Sequence, residues 1–312
     1  MTTSVRGGVI TGWGKAVPAK VVTNDDLSAF LDTSDTWIRE RTGIQERRIG
    51  GTTSELAIEA GLAALANAGR RPDEVDAVIL ATTTPDQIVP GTSATVQDGI
   101  GIPGGAFDVN AACSGFVYAL VVAHGLLALG AERLLVVGSE TLSRITDWDE
   151  RGVAVLVGDG AGAVVLEAVD GPGQLLSHHL GADGSLRHLL DCDHGGFLQM
   201  DGKEVFRNAV RVVVDSAQRA IAQAGLTVED IDLLVPHQAN LRIITAICQR
   251  LAIPEEKAAV VIDRYGNTSS ASIPLALVDA LDAGRLQPGQ HVLLTGFGGG
   301  MTWASAVLRW GG

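Results

Sequence analysis

Cys113 stands between an apolar run at residues 106–109 that reads as a strand and a longer apolar run from Ser114 to Leu120 that reads as a helix. Backbone N–H groups at a helix start carry partial positive charge, which favours thiolate over thiol and makes a nucleophile. A cysteine in an apolar stretch can equally be an inert small hydrophobe. Two other residues tip the choice. His237 lies in Pro-His-Gln-Ala-Asn just past the strand-like run 233–235, and Asn267 lies in Gly-Asn-Thr-Ser-Ser-Ala-Ser after the run 260–262. Three polar groups on three strand ends can converge on one point. Near the C-terminus, residues 296–300 read Gly-Phe-Gly-Gly-Gly after another strand-like run. Glycines let backbone N–H groups approach a ligand oxygen closely, as an oxyanion hole requires, although the same glycines also make a plain flexible turn.

The elements that must position these residues come in two related sets. Ala68-Gly69 followed by Asp73-Glu-Val-Asp-Ala-Val-Ile79 recurs as Ala224-Gly225 followed by Glu229-Asp-Ile-Asp-Leu-Leu-Val235, and Leu-Leu-Val-Val-Gly at 134–138 is echoed by Val-Leu-Leu-Thr-Gly at 292–296. Two matches in the same order at nearly the same offset point to duplication, with halves at 1–168 and 169–312. Amphipathic patterns at 55–67 and 204–223 predict helices, and β-rich runs at 75–81, 106–109, 134–137, 233–235, 260–262 and 292–295 predict strands. That alternation implies an α/β fold with mostly parallel sheets covered by helices, where ligands bind beyond the carboxyl ends of the strands.

At 312 residues and 46% hydrophobic content the chain can build a large core, and its 39 glycines suit tight strand-to-helix turns. No run of 18 apolar residues predicts a membrane span, and Met1–Gly7 has no apolar signal core, so the expectation is a soluble cytoplasmic protein. Three cysteines, Cys113, Cys192 and Cys248, have no framework spacing and fit a reducing compartment. A net charge of −13 argues against nucleic acid as a partner. Gly99, Gly101 and Gly104 match G-x-G-x-x-G but precede a strand instead of following one, which rejects a dinucleotide site. Asp191-Cys-Asp-His194 contains metal-ligand types on one short loop without a second cluster, so no metal is expected.

Taken together, Asn-Ala-Ala-Cys-Ser-Gly-Phe around Cys113, Val-Pro-His-Gln-Ala-Asn-Leu-Arg-Ile-Ile at 235–244, Arg-Tyr-Gly-Asn-Thr-Ser-Ser-Ala-Ser at 264–272 and Gly-Phe-Gly-Gly-Gly-Met-Thr-Trp at 296–303 closely resemble β-ketoacyl-acyl carrier protein synthase III. Asp32-Thr-Ser-Asp-Thr-Trp37 and Arg41-Thr-Gly-Ile44 add an N-terminal motif of that family. The resemblance implies a thiolase fold of two duplicated βαβ halves layered α/β/α/β/α, and a homodimer. It implies that Cys113 takes the acyl group from acyl-CoA, that His237 and Asn267 drive decarboxylative condensation with malonyl-acyl carrier protein, and that the N–H groups of Cys113 and Gly299 form the oxyanion hole. It places Trp37 and Arg151 at the adenine of CoA, with Thr33, Arg41, Gly202, Phe206, Ala239 and Asn240 along the pantetheine tunnel. Acyl-CoA is then a substrate, and no cofactor is implied. Arg207, Arg242 and Arg250, with Arg211 beside Arg207, are the cationic candidates for docking an acidic carrier protein. Val89 stands in the wall of the partner's acyl pocket, where members restricted to short straight starters tend to carry Phe. Rival readings are a polyketide-priming relative and a cysteine hydrolase, whose papain-like members share the order Cys, His, Asn.

Overall fold

A computed structural model describes residues 6–311; Met1–Val5, part of the segment read above for a signal core, lie outside the described residues. Its principal elements are β1 (Arg6–Ala16), α1 (Asp35–Thr42), α2 (Thr53–Ala68), β2 (Ala77–Ala81), α3 (Thr92–Ile100), β3 (Gly105–Val109), α4 (Gly115–Ala128), β4 (Arg133–Thr141) and β5 (Asp159–Gly173). They continue with β6 (Leu175–Ala182), α5 (Gly202–Gln223), β7 (Ile231–Pro236), α6 (Leu241–Leu251), α7 (Ser272–Asp282), β8 (His291–Gly298) and β9 (Thr302–Arg309).

Two sheets result, one in the order β1-β5-β4-β2-β3 and the other in the order β7-β8-β9-β6. Read from opposite ends, the second repeats the first: β6, β9, β8 and β7 stand where β1, β5, β4 and β2 do. The sheets are mixed, but their weight differs from the sequence expectation. β2–β3, β2–β4 and β7–β8 pair parallel, while β1–β5, β4–β5, β8–β9 and β9–β6 pair antiparallel. The run 260–262, expected as a strand, is not one. The chain just before it pairs with β7 through a single bridge between Leu234 and Ala258, and the run itself makes none. The Gln238 side chain accepts the N–H groups of Val261 and Ile262 at 2.9 and 3.2 Å, so those donors never reach a strand partner. The expected boundary at 168/169 falls inside β5, and the chain passes from one sheet to the other at Gln174.

Three hydrophobic clusters define five layers. α2 and α3 cover one face of the first sheet through Ala57, Ala60, Ala64, Val96 and Ile100, against Val78, Leu80, Leu135 and Val137. α4 and α7 fill the middle, burying Phe116, Leu120, Ile273 and Leu277 against Ile79 and Val136 of one sheet and Val235 and Leu294 of the other. α5 and α6 close the far face of the second sheet with Val213, Ala217, Ile244 and Ile247. α4 carries no Asp, Glu, Lys or Arg, as a helix wrapped by two sheets must. Each fully buried Leu or Phe there contributes about 1.5–3 kcal/mol of transfer free energy. α2 lies so close to β1 that a Cβ at Gly12 or Gly14 would stand 2.4 Å from the backbone at Ala64. Among the described residues, no helix is long and apolar enough to cross a membrane.

Candidate active site

The middle helices bring the reactive candidates to the seam between the sheets. Cys113 sits in a single turn, Ala112–Ser114, that runs from the end of β3 straight into α4. Ala112 holds φ at 48°, a left-handed value rare for a residue with a side chain, and the turn is tied down through the Ala111 carbonyl, which accepts the hydroxyls of Ser114 at 2.7 Å and Thr302 at 2.8 Å. The end of β8 presses on the same turn, where a Cβ at Gly298 would stand 2.4 Å from the Cys113 amide nitrogen. His237 follows β7, its N–H donating to the Thr295 carbonyl at 2.8 Å and its ring meeting Phe297 edge-on at 5.4 Å. The Asn267 N–H donates to the Leu156 carbonyl at 2.7 Å. The Asn267 side-chain oxygen accepts the Ser269 N–H at 2.9 Å, which leaves its amide Nδ2–H groups free to donate. Cys113, His237, Asn267, Phe297 and Gly299 all line one cavity of about 1290 Å³.

Burial decides the charge state of this site. It pushes the Cys113 thiol up to about 12; a Ser269 hydrogen bond and the thiol's own backbone N–H oppose the rise, and the nearby Glu140 adds to it. Desolvation thus opposes the thiolate expected from the helix-start position of Cys113. Burial also pushes His237 down to about 3, so its imidazole is neutral at physiological pH.

Sequence reasoning missed Glu140, Ser269, Ser270 and Ser272. Glu140, next to last in β4, has no exposure to solvent and accepts hydrogen bonds from the hydroxyls of Thr82, Thr84, Ser269 and Ser270 and from the N–H groups of Thr83 and Thr84. It thereby ties the loop after β2 to the turn that carries Asn267. A charged residue closing the apolar run at 134–138 was the available signal.

Of the residues assigned to CoA, Trp37, Arg41, Gly202, Phe206, Ala239 and Asn240 line the cavity. Arg151 reaches them through Trp37: its guanidinium and that of Arg41 each lie 4.7 Å from the indole centroid. Thr33 is not part of the lining, and its hydroxyl is buried without a partner. Asn240 also caps α6, accepting the Arg242 N–H at 2.8 Å and donating to the Arg41 carbonyl at 3.0 Å. Asp191, Cys192, Asp193 and His194 form an exposed rim of the cavity. Arg242 is exposed at its mouth, while Arg207, Arg211 and Arg250 are exposed outside the lining, with Arg207 paired to Glu204. Val89 is 82% exposed and takes no part in this chain's own cavity, whose wall there is Ile88.

Comparison with known proteins decides the family. The model described as 3-oxoacyl-[acyl-carrier-protein] synthase III matches residues 107–184, and the model of that family's C-terminal region matches residues 221–310. The β-ketoacyl-[acyl-carrier-protein] synthase III of Roseiflexus castenholzii is 50% identical over 321 residues, covering 96% of this chain and 97% of the relative. The chain belongs to the β-ketoacyl-acyl carrier protein synthase III family. The synthase III structure from Thermus thermophilus matches at a TM-score of 0.94 and 50% identity, covering 97% of this chain and 99% of its own, so the fold is the thiolase fold. A priming β-ketosynthase from the R1128 polyketide pathway matches at a TM-score of 0.95 and 35% identity, covering 99% and 98%. As a synthase III, the protein is a condensing acyltransferase of the initiating step of fatty acid synthesis. The hydrolase reading is left without support.

Proposed function

We propose that Cys113 is the acylated nucleophile, that acyl-CoA delivers the starter, and that His237 and Asn267 serve the condensation with malonyl-acyl carrier protein. The Cys113 sulfur attacks the thioester carbonyl carbon, the oxyanion accepts the N–H groups of Cys113 and Gly299, and the bond to the CoA sulfur breaks as that sulfur takes up the thiol proton. Malonyl thioester then replaces CoA in the same tunnel. Its carbonyl oxygen accepts hydrogen bonds from His237 and Asn267, the bond to the carboxylate breaks to release carbon dioxide, and the enolate carbon attacks the acyl carbonyl carbon. Cleavage of the acyl–sulfur bond returns Cys113, which regains a proton, so each turnover consumes one. Neutral donors suit this step because a carboxylate would repel the malonyl group.

The observation that carries the reading is the convergence of the Cys113 thiol, the Asn267 amide held in its donating orientation and the His237 ring on one cavity that Trp37 and Arg41 also line. No cofactor enters this chemistry. Arg242, exposed at the cavity mouth, is the docking residue placed best for an acidic carrier protein, and exposed Val89 is available to the acyl pocket of a second copy in a cytoplasmic homodimer. Fatty-acid initiation is preferred to polyketide priming because the fatty-acid relative is 50% identical and the priming enzyme 35%.

The test follows the two half-reactions. Mass spectrometry after mixing with acyl-CoA should find one acyl group on Cys113 and none in Cys113→Ala. His237→Ala and Asn267→Ala should keep that acylation and lose malonyl decarboxylation by about 100-fold or more, the scale of an oxyanion donor. Acylation at Cys192 or Cys248, or decarboxylation at the wild-type rate in either variant, would overturn the assignment.

A further inference from the structure

An imidazole can serve an enolate only as a donor, and a neutral ring has one N–H to place. The ring nitrogen Nδ1 of His237 lies 2.6 Å from the Ser272 hydroxyl oxygen, and both residues are buried, Ser272 completely. That oxygen also accepts the Gln238 N–H at 3.2 Å. The hydroxyl has a single proton and two acceptors in reach, His237 Nδ1 and the Ser269 carbonyl at 2.9 Å. The Ser269 carbonyl already receives the Ser272 backbone N–H, and the contact to Nδ1 is the shorter one.

We infer that Ser272 is a positioning residue whose hydroxyl donates to Nδ1 and so holds His237 in the tautomer with its proton on Nε2. The inference rests on the role proposed above for His237. With the opposite tautomer, a bare Nε2 lone pair would face the developing enolate and repel it. The same device operates on Asn267, where the Ser269 N–H occupies the amide oxygen and leaves the Nδ2–H groups to donate. Thus the turn Ser269–Ser272 sets both ambivalent side chains as donors. The turn is itself fixed by Glu140, which accepts the hydroxyls of Ser269 and Ser270 at 3.0 and 2.7 Å.

The experiment uses full-length enzyme labelled with 15N-histidine. Long-range proton–nitrogen spectra, with His237 assigned by its loss in His237→Ala, should show an unprotonated Nδ1 and a protonated Nε2. In Ser272→Ala the signal should move toward the other tautomer, and malonyl decarboxylation should fall roughly tenfold, the scale of one buried hydrogen bond, while acyl transfer to Cys113 stays within about twofold. Ser272→Thr, which keeps the hydroxyl, should recover most of the loss. A protonated Nδ1 in the wild-type spectrum would overturn the inference even if no variant folds. Wild-type decarboxylation in Ser272→Ala would also overturn it, as would an equal loss of both half-reactions. If His237→Ala itself decarboxylates normally, the proposed function fails; if only Ser272→Ala does, the positioning role fails alone.

Discussion

Cys113 combines a helix-start position with a buried thiol, and the two act in opposite directions. Partial charge at the start of α4 stabilises a thiolate by at most a couple of kcal/mol. Removal from water disfavours that thiolate, and the carboxyl of Glu140 disfavours it further. A thiol pushed up to about 12 predicts that the nucleophile forms in company with its substrate and not at rest. The acyl thioester entering the cavity brings an electrophile for the sulfur and an acceptor for its proton. Alkylation by iodoacetamide, followed by mass spectrometry of the Cys113 peptide, checks this directly. Labelling should be slow at pH 7, and its rate should climb about tenfold per pH unit through pH 9, because the thiolate fraction does so below the pKa. A rate flat from pH 6 to 8 would mean that the resting form is already a thiolate.

Strand ends aim these groups, and their tolerance is small. β8 closes on the Cys113 turn through Gly298, where an added Cβ would meet the Cys113 nitrogen at 2.4 Å and the Ala112 Cβ at 2.6 Å. Neither neighbour is the end of a flexible side chain, so Gly298→Ala must push the turn aside. A displacement of about 1 Å at a reacting centre costs on the order of 100-fold. Gly298→Ala should therefore lose acyl transfer from CoA to that extent while keeping a wild-type circular dichroism spectrum; a rate within threefold of wild type would show that the turn can yield. The same strand ends explain what could be read from sequence. β2, β4, β7 and β8 are short apolar runs, so the polar residues after β7 and the glycines after β8 stood out, and Cys113 was legible against apolar stretches on both sides. β1 and β5 escaped because their glycines, required where α2 and the neighbouring layers touch the backbone, break the apolar run. With them went the antiparallel half of the first sheet. The run 260–262 misled for the opposite reason: Val261 and Ile262 are buried, but the Gln238 side chain takes their backbone donors. Glu140 and Ser269 meet across the halves at a separation of 129 residues, and Ser272 meets His237 at a separation of 35, which spacing along the chain does not reveal.

At the scale of the molecule, two repeated sheets clasp a shared pair of middle helices, and the groups enclosed by this arrangement tie its stability to pH. Burial drives His124 of α4 down to about 4, with the nearby His178 adding to the effect, and drives His237 down to about 3. For Glu167 on β5, burial opposes ionisation, but hydrogen bonds from Arg70, Arg133 and Thr11 outweigh it and hold the carboxyl down at about 2. All three have folded values below their unfolded ones, so in acid the unfolded chain binds more protons than the folded one, and stability must rise with pH across that range. The two histidines begin to act as pH falls below their ordinary 6.5, and their effect grows until their folded values are reached. Glu167 joins below its ordinary 4.5, and its contribution is lost as pH drops toward 2. Thermal unfolding followed from pH 8 to pH 3 should therefore show little change above pH 7, a decline that starts near pH 6.5 and a steeper one below pH 4.5. His124→Leu, which removes a buried group whose ring nitrogen Nε2 has no partner, should flatten the upper part of the decline and leave the lower part in place. Glu167→Gln should do the reverse, lowering stability at pH 7 through the loss of its pairs with Arg70 and Arg133 while reducing the slope below pH 4.5. A melting temperature constant from pH 7 to 5 would contradict a pair of buried neutral histidines, and an unchanged low-pH slope in Glu167→Gln would place the acid sensitivity in other carboxylates of this strongly acidic chain.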